Sequence, residues 1–243
     1  MENIEQQSLS GIALQHHGLI PVLEKYSLDF CCRGKKTLEE ACAEKNIDLR
    51  EIVNEMEQAG RSANTGLRFA AMSADELISY IIIHHHFYVT QSMPTIYGHI
   101  EKVATRHGDR YPKMKKVLEL FAAVQGELLP HMQKEENILF PRIREIAAVA
   151  TQQKGMPLPA AYISGPVAVM EMEHDHAGQL MFEIRELTNN YTPPEDACTT
   201  HMVCLEELKA FEEDLHQHVH LENNMLFPMA FEMMAGYDHA TAS

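Results

Sequence analysis

Apolar residues recur at helical spacing through most of the chain. After Ser73-Ala-Asp-Glu76, where a capping serine stands three residues before a glutamate, Leu77, Ile78, Ile81 and Ile82 fall on one helical face. Further helices are expected from about Lys113 to Ala150, from Pro166 to Asn190 and from Pro194 to Met234. Gly108-Asp109, the stretch Gly155-Met-Pro-Leu-Pro159 and Pro193-Pro194 separate them. No run alternates with a two-residue period between turn signals, so the segments predict an all-α protein built on an antiparallel four-helix bundle. Pro94, Pro130 and Pro141 fall inside these segments and are expected to kink or break them.

Ahead of the bundle, from Leu9 to about Ala59, the pattern is one of short helices. Thr37-Leu-Glu-Glu40 and Asp48-Leu-Arg-Glu51 each place a capping side chain three residues before a glutamate. The run from Gly60 to Met72 is rich in small and polar residues. The expected organisation is a helical module over residues 1–60, a linker over 61–72 and the bundle over 73–236.

Composition narrows the function. With 45% hydrophobic and 23% charged residues among 243, disorder and low-complexity architectures are improbable. A formal charge of −15 argues against sequence-independent binding to nucleic acid or to an anionic membrane, since both need a cationic face. No apolar run approaches the roughly 18 residues of a spanning helix, and the Met-Glu-Asn-Ile-Glu start lacks signal-peptide character, so a cytoplasmic protein is expected. Five cysteines form no dense framework, which fits reduced thiols. Fifteen histidines alongside no tryptophan are out of line with the rest.

Their positions reveal an internal duplication. His131-Met-Gln-Lys-Glu135-Glu-Asn-Ile-Leu-Phe-Pro141 and His218-Val-His-Leu-Glu222-Asn-Asn-Met-Leu-Phe-Pro228 both read His-x-x-x-Glu-x-Asn-x-Leu-Phe-Pro. Upstream of each stands another histidine, His86 at 45 residues before His131 and His174 at 44 before His218. Spacing of four puts an imidazole and a carboxylate on one helix face, about 5–6 Å apart. Two such units facing each other converge four histidines and two glutamates, the arrangement of dinuclear carboxylate sites in helical bundles. Nitrogen and oxygen donors without sulfur suit iron, manganese or zinc. Iron is preferred, because positions left open by six protein ligands invite oxygen or nitric oxide chemistry. A competing Glu-x-x-His pattern at Glu171–His174 and Glu213–His216 has no counterpart before His86 or His131.

These motifs resemble the hemerythrin-like repair-of-iron-centres family, also called the YtfE/ScdA type. The resemblance rests also on Met-Glu-x-Glu-His-Asp at 170–175, on Asn-Asn-Tyr-Thr-Pro-Pro at 189–194 with Ala-Cys-Thr-Thr following, and on Asp-Phe-Cys-Cys-Arg-Gly at 29–34. It implies that His86, His131, His174 and His218 are terminal ligands and that Glu135 and Glu222 bridge two non-haem irons (Fe2+/Fe3+), oxo-bridged when oxidised. It implies a stress role, the repair of iron-sulfur proteins damaged by nitric oxide or peroxide, by supplying iron. Because His84, His85 and His86 are consecutive, His85 is the alternative ligand in a different register.

Glu127 lies four residues before His131 and so points toward the same face, while Glu173 precedes His174 directly. The resemblance places both near an access path to iron. Cys31 and Cys32, next to Arg33, Lys35 and Lys36 and just before the helix at Thr37, read as a reactive thiol pair that engages the acceptor or handles nitrosyl groups. Cys42, Cys198 and Cys204 read as buried small hydrophobes, and His16, His17, His99, His107, His201 and His239 as surface residues. His176, His216 and His220 are candidates to support the ligands from behind. Two rival functions stay open: reduction of nitric oxide to nitrous oxide at a diferrous pair, and oxygen or iron sensing. The expected partners are damaged iron-sulfur proteins with nitric oxide or oxygen as small ligands, and monomer and homodimer both stay open.

Overall fold

The computed structural model describes residues 3–31, 34–62, 69–152, 159 and 161–241. Apart from one isolated bridge between Ser8 and Thr37, every regular element among them is helical. The central part of the expected linker and the residue Cys32 lie outside the described residues.

Helices α1 (Leu9–Gln15), α2 (Ile20–Lys25), α3 (Leu38–Lys45) and α4 (Leu49–Ser62) close around their own core, which includes Ile12, Leu23, Phe30, Leu38, Ile52 and Met56. Thr37 and Glu40 form the expected reciprocal cap of α3. The second expected cap forms only in part. Asp48 Oδ1 accepts from the Arg50 N–H at 2.9 Å, while Glu51 turns away to accept from the Tyr26 hydroxyl at 3.4 Å.

The first bundle helix is α5 (Ala74–Tyr80), a π-turn at Ile81–His86 and α6 (Phe87–His107) in one continuous run. The second is α7 (Lys113–Lys134), a π-turn at Glu135–Leu139 and α8 (Phe140–Gln152). The third is α9 (Ala161–Leu187). The fourth is α10 (Thr199–Leu221), a π-turn at Glu222–Leu226 and α11 (Phe227–Thr241). Neighbours pack in the order α6, α7, α9, α10 and back to α6, as expected of antiparallel neighbours joined by short connections. Ser73 caps α5, accepting from the Glu76 N–H while Glu76 returns to the Ser73 N–H. Ser73→Ala is expected to lower unfolding stability by about 1 kcal/mol, measured by denaturant titration.

The expected proline breaks do not occur. Pro94 and Pro130 sit inside uninterrupted helix. Pro141 and Pro228 each follow a π-turn that begins at Glu135 or Glu222, and the Phe140 and Phe227 N–H groups reach back five residues to those glutamates. The wider turn relieves the clash a proline ring makes with the carbonyl four residues earlier, which gives the Leu-Phe-Pro repeat a physical role. Helix α9 starts at Ala161, so Pro166 lies within it rather than at its first turn. It stops at Leu187 rather than Asn190, because Asn189, Asn190 and Tyr191 all turn left-handed at φ 51°, 54° and 58°. Tyr191 is held there by its hydroxyl, which donates to Glu212 Oε2 at 2.8 Å beside the Arg185 guanidinium.

Two apolar clusters fill the bundle. One includes Val89, Ile96, Val124, Leu128, Met181 and Val219. The other includes Leu77, Ile81, Phe140, Val167, Met170 and Leu226. Along all four helices the switch from one cluster to the other falls beside the inward histidines, so a polar layer lies between two apolar ones. The N-terminal helices pack on the bundle beside this layer, through Glu24 to His216 at 2.8 Å and Phe30 against the His220 ring at 5.4 Å between centroids. Among the described residues no helix is long and apolar enough to cross a membrane.

Candidate metal centre

The polar layer is assembled from all four bundle helices. The π-turn of the first helix delivers His86, the end of α7 delivers His131 and the π-turn after it Glu135, α9 delivers His174, and the end of α10 delivers His218 and the π-turn after it Glu222. All six are buried, the two glutamates at 0% exposure. They form two four-residue groups, His86, Glu135, His218, Glu222 and His131, Glu135, His174, Glu222, with the ligand atoms of each within 4.8 Å of one another. Both glutamates belong to both groups.

The histidines present Nε2 inward. His86 Nε2 lies 3.1 Å from His218 Nε2, and His174 Nε2 lies 3.0 Å from His131 Nε2. The Glu135 oxygens stand 3.4 Å from His86 and 3.3 Å from His131, and those of Glu222 stand 3.0 Å from His174 and 3.2 Å from His218. None of the four carboxylate oxygens has a hydrogen bond of good geometry among the described residues. Buried carboxylates without such partners cost several kcal/mol each unless a cation compensates them. Converging nitrogen lone pairs and orphaned carboxylate oxygens therefore fit a metal site, and the shared glutamates fit two adjacent ions.

The electrostatics agree with that reading. Burial and the mutual repulsion of Glu135 and Glu222 would raise the Glu135 carboxyl, yet His131 and His86 beside it bring it below the usual range. Burial would likewise raise Glu222, and His218 and His174 bring it well below. Burial would lower His131, but the Glu135 and Glu222 carboxylates and Glu173 raise it to about 9. His86 is raised for the same reason, against its burial. Two ionised carboxylates at the centre of the layer attract positive charge, whether a proton on an imidazole or a cation.

His86, not His85, enters the layer. His85 is also buried, but its Nδ1 donates to Asp214 at 2.9 Å. The Glu-x-x-His alternative does not assemble, since Glu171 is exposed and Glu213 pairs with Lys209. Glu173 stands directly behind the site, accepting from His131 Nδ1 at 2.8 Å and pairing with Lys134. Glu127 is not brought to the layer; it accepts from the exposed His176 at 2.7 Å. Of the other two supporting candidates, His216 is half-buried against Glu24 and His220 is buried with its Nδ1 3.1 Å from Asn224 Nδ2.

Cys31 is buried at 6% exposure on the bundle side of the N-terminal helices. Its Sγ donates to Asp29 Oδ1 at 3.3 Å, and its carbonyl accepts from Asn224 Nδ2 at 3.3 Å. A cavity of about 360 Å³ beside it is lined by Asp29, Lys36, Lys45, Arg185 and His216. Cys42 and Cys204 are buried as expected, but Cys198 is only half-buried, because it caps the exposed start of α10. His201, expected at the surface, is buried at 3% against the Tyr111 ring, because the first turn of α10 tucks under the end of α6. Sequence reasoning missed Glu136 and Asn223, which accept from His86 Nδ1 at 2.7 Å and His174 Nδ1 at 2.9 Å. Their matched place, one residue after each shared glutamate, was the signal that could have found them.

Comparison with known proteins agrees with this architecture. Residues 77–230 match the family described as hemerythrin HHE cation binding domain, and residues 5–60 match ScdA_N, described as a domain of unknown function. A Haemophilus influenzae protein named probable iron-sulfur cluster repair protein is 38% identical over 92% of this chain and 96% of its own. The Citrobacter koseri protein named iron-sulfur cluster repair protein YtfE is 36% identical over 94% of this chain and 98% of its own. A Yersinia pseudotuberculosis protein of the same name is 36% identical over 92% and 96%. The chain therefore belongs to the hemerythrin-like family of the YtfE/ScdA type, with an ScdA-type region ahead of a hemerythrin HHE cation-binding domain.

Proposed function

We propose that the protein holds two iron ions in the polar layer and supplies iron to iron-sulfur clusters damaged by oxidative or nitrosative stress. The observation that carries this reading is the pair of buried His2Glu2 groups sharing both glutamates, in a chain similar over 92–94% of its length to proteins named for cluster repair. In this reading His86 with His218 and His131 with His174 would hold one ion each, and Glu135 and Glu222 would serve both. Two carboxylates offset half of the four positive charges of two ferrous ions, leaving a centre whose ions repel each other and can be given up. Bound iron would supply redox and ligand-exchange chemistry toward oxygen or nitric oxide. Glu173 and Glu136 hold the ligand rings from behind.

The test is transfer. Iron-loaded protein is mixed anaerobically with an iron-sulfur protein whose cluster has lost iron, and cluster recovery is followed by its visible absorption and electron paramagnetic resonance. Recovery that outpaces the same amount of free ferrous iron in the presence of a chelator is expected; recovery no better than free iron defeats the proposal.

The division into residues 1–60, a linker over 61–72 and the bundle over 73–236 belongs to the same proposal. Exchanging both Cys31 and Cys32 for serine is expected to leave metal content unchanged and to weaken transfer, because the six donors all lie beyond residue 72. Loss of metal in that double variant, measured by elemental analysis, would show that the N-terminal region takes part in the centre.

A further inference from the structure

The two candidate positions differ behind the imidazoles. Each histidine turns Nε2 to the layer, which leaves Nδ1 as its outer nitrogen. Nδ1–H of His86 donates to Glu136 at 2.7 Å, that of His131 to Glu173 at 2.8 Å and that of His174 to Asn223 at 2.9 Å. The Nδ1 of His218 is buried and has no hydrogen-bond partner among the described residues.

The internal repeat explains the exception. Aligning Glu135 with Glu222 places Glu136 on Asn223, and each of these supports the upstream histidine of its own repeat. Aligning His86 with His174 places His85 on Glu173. Glu173 supports His131 of the other repeat, so His85 is the residue that ought to support His218. It does not. Its ring lies parallel to that of His218, 5.7 Å apart and inclined by 7°, and its Nδ1 goes to Asp214 at 2.9 Å. The position framed by His131 and His174 thus has both rings held from behind. The position framed by His86 and His218 has one, held by Glu136, whose side chain is 42% exposed against 27% for Glu173.

An acceptor on the outer nitrogen fixes the ring plane and tautomer and makes the inner nitrogen a better donor, and its removal costs roughly 10–100-fold in metal affinity. Such differences appear mainly in the rate of release. We infer that the position framed by His86 and His218 is the labile one, which gives up its ion first, while the position framed by His131 and His174 retains its own. The inference rests on the two-ion reading above and says which ion is the cargo.

The test uses the full chain, loaded anaerobically with ferrous iron, analysed for metal and then mixed with an excess of a colour-forming ferrous chelator. Two ions per chain leaving in two phases of one ion each, at rates roughly 10–100-fold apart, are expected. His85→Glu, which offers His218 the carboxylate that Glu173 offers His131, is expected to slow the fast phase and leave the slow one. Glu173→Ala is expected to speed the slow phase and leave the fast one; lying on another helix and acting in the opposite sense, it decides the matter if His85→Glu does not fold. Loss of both ions at one rate overturns the inference. So does a slow phase that responds to His85→Glu, or a fast phase that responds to Glu173→Ala. A chain that binds fewer than two ions overturns the two-ion reading, and the inference with it, before any chelator is added.

Discussion

Glu135→Leu and Glu222→Leu are each expected to leave the chain unable to hold two metal ions, while Glu127→Leu keeps both. The two shared glutamates are members of both four-residue groups, so removing either withdraws a ligand from both positions at once. It also removes one of the two negative charges that let two divalent ions sit together away from water. Glu127 accepts from the exposed His176 and is not part of either group. A second readout separates loss of metal from loss of fold. Leucine at a fully buried position between two apolar clusters suits its surroundings, but it leaves the facing imidazoles without their carboxylate, and removing one partner of a buried charged pair is destabilising. In the presence of chelator the two leucine variants are therefore expected to unfold cooperatively, at a lower temperature than the unaltered chain. Elemental analysis and thermal unfolding of the three variants side by side check both statements. Metal loss in Glu127→Leu together with two ions in either of the others would overturn the assignment.

Metal removal is expected to produce the largest change in stability. A ligand bound only by the folded state adds about 4 kcal/mol at a free concentration about 1,000 times its Kd, and two independent ions would add roughly twice that. At about 2–4 °C per kcal/mol for a chain of this size, the unfolding temperature should fall by more than about 15 °C when a chelator is added. The dependence on pH should differ with the metal. Imidazoles must be neutral to bind an ion, so the metal-dependent increment grows as pH rises from about 5 to 7. In chelator two histidines act in separate windows: burial lowers His220 from 6.5 to about 4, so stability rises with pH between about 4 and 6.5, whereas Glu135 and Glu222 raise His131 from 6.5 to about 9, so its contribution is full below about 6.5 and is lost as pH climbs through about 9. Thermal unfolding with and without chelator across this range reads both slopes. An unfolding temperature indifferent to chelator at pH 7 would remove the metal from the account of stability.

Much of the fold was legible because its causes are local. Capping at Thr37 and Ser73, the helical spacing of Leu77, Ile78 and Ile81, and the absence of two-residue alternation all act within a few residues. Element ends were less legible where a distant partner decides them. Tyr191 turns left-handed because Glu212, on the next helix, holds its hydroxyl, and nothing near Tyr191 in sequence announces that. The prolines misled for a related reason: whether Pro141 breaks a helix depends on the width of the turn before it, and the π-turn at Glu135–Leu139 absorbs the ring.

The sequence by itself determined the all-helical class and singled out five of the six converging donors, because the repeat of His-x-x-x-Glu puts each donor pair on one helix face and twofold repetition brings the faces together. Only the tertiary structure decided between His85 and His86. Ordinary helical spacing carries the inward face from Ile78 to residue 85, and the π-turn at Ile81–His86 adds a residue to that turn, so the ring that reaches the layer is His86. The same holds behind the ligands. That Glu136, Glu173 and Asn223 each find an outer nitrogen while His218 finds none depends on how four helices approach one another, which is a property of packing across the bundle and of no single stretch of chain.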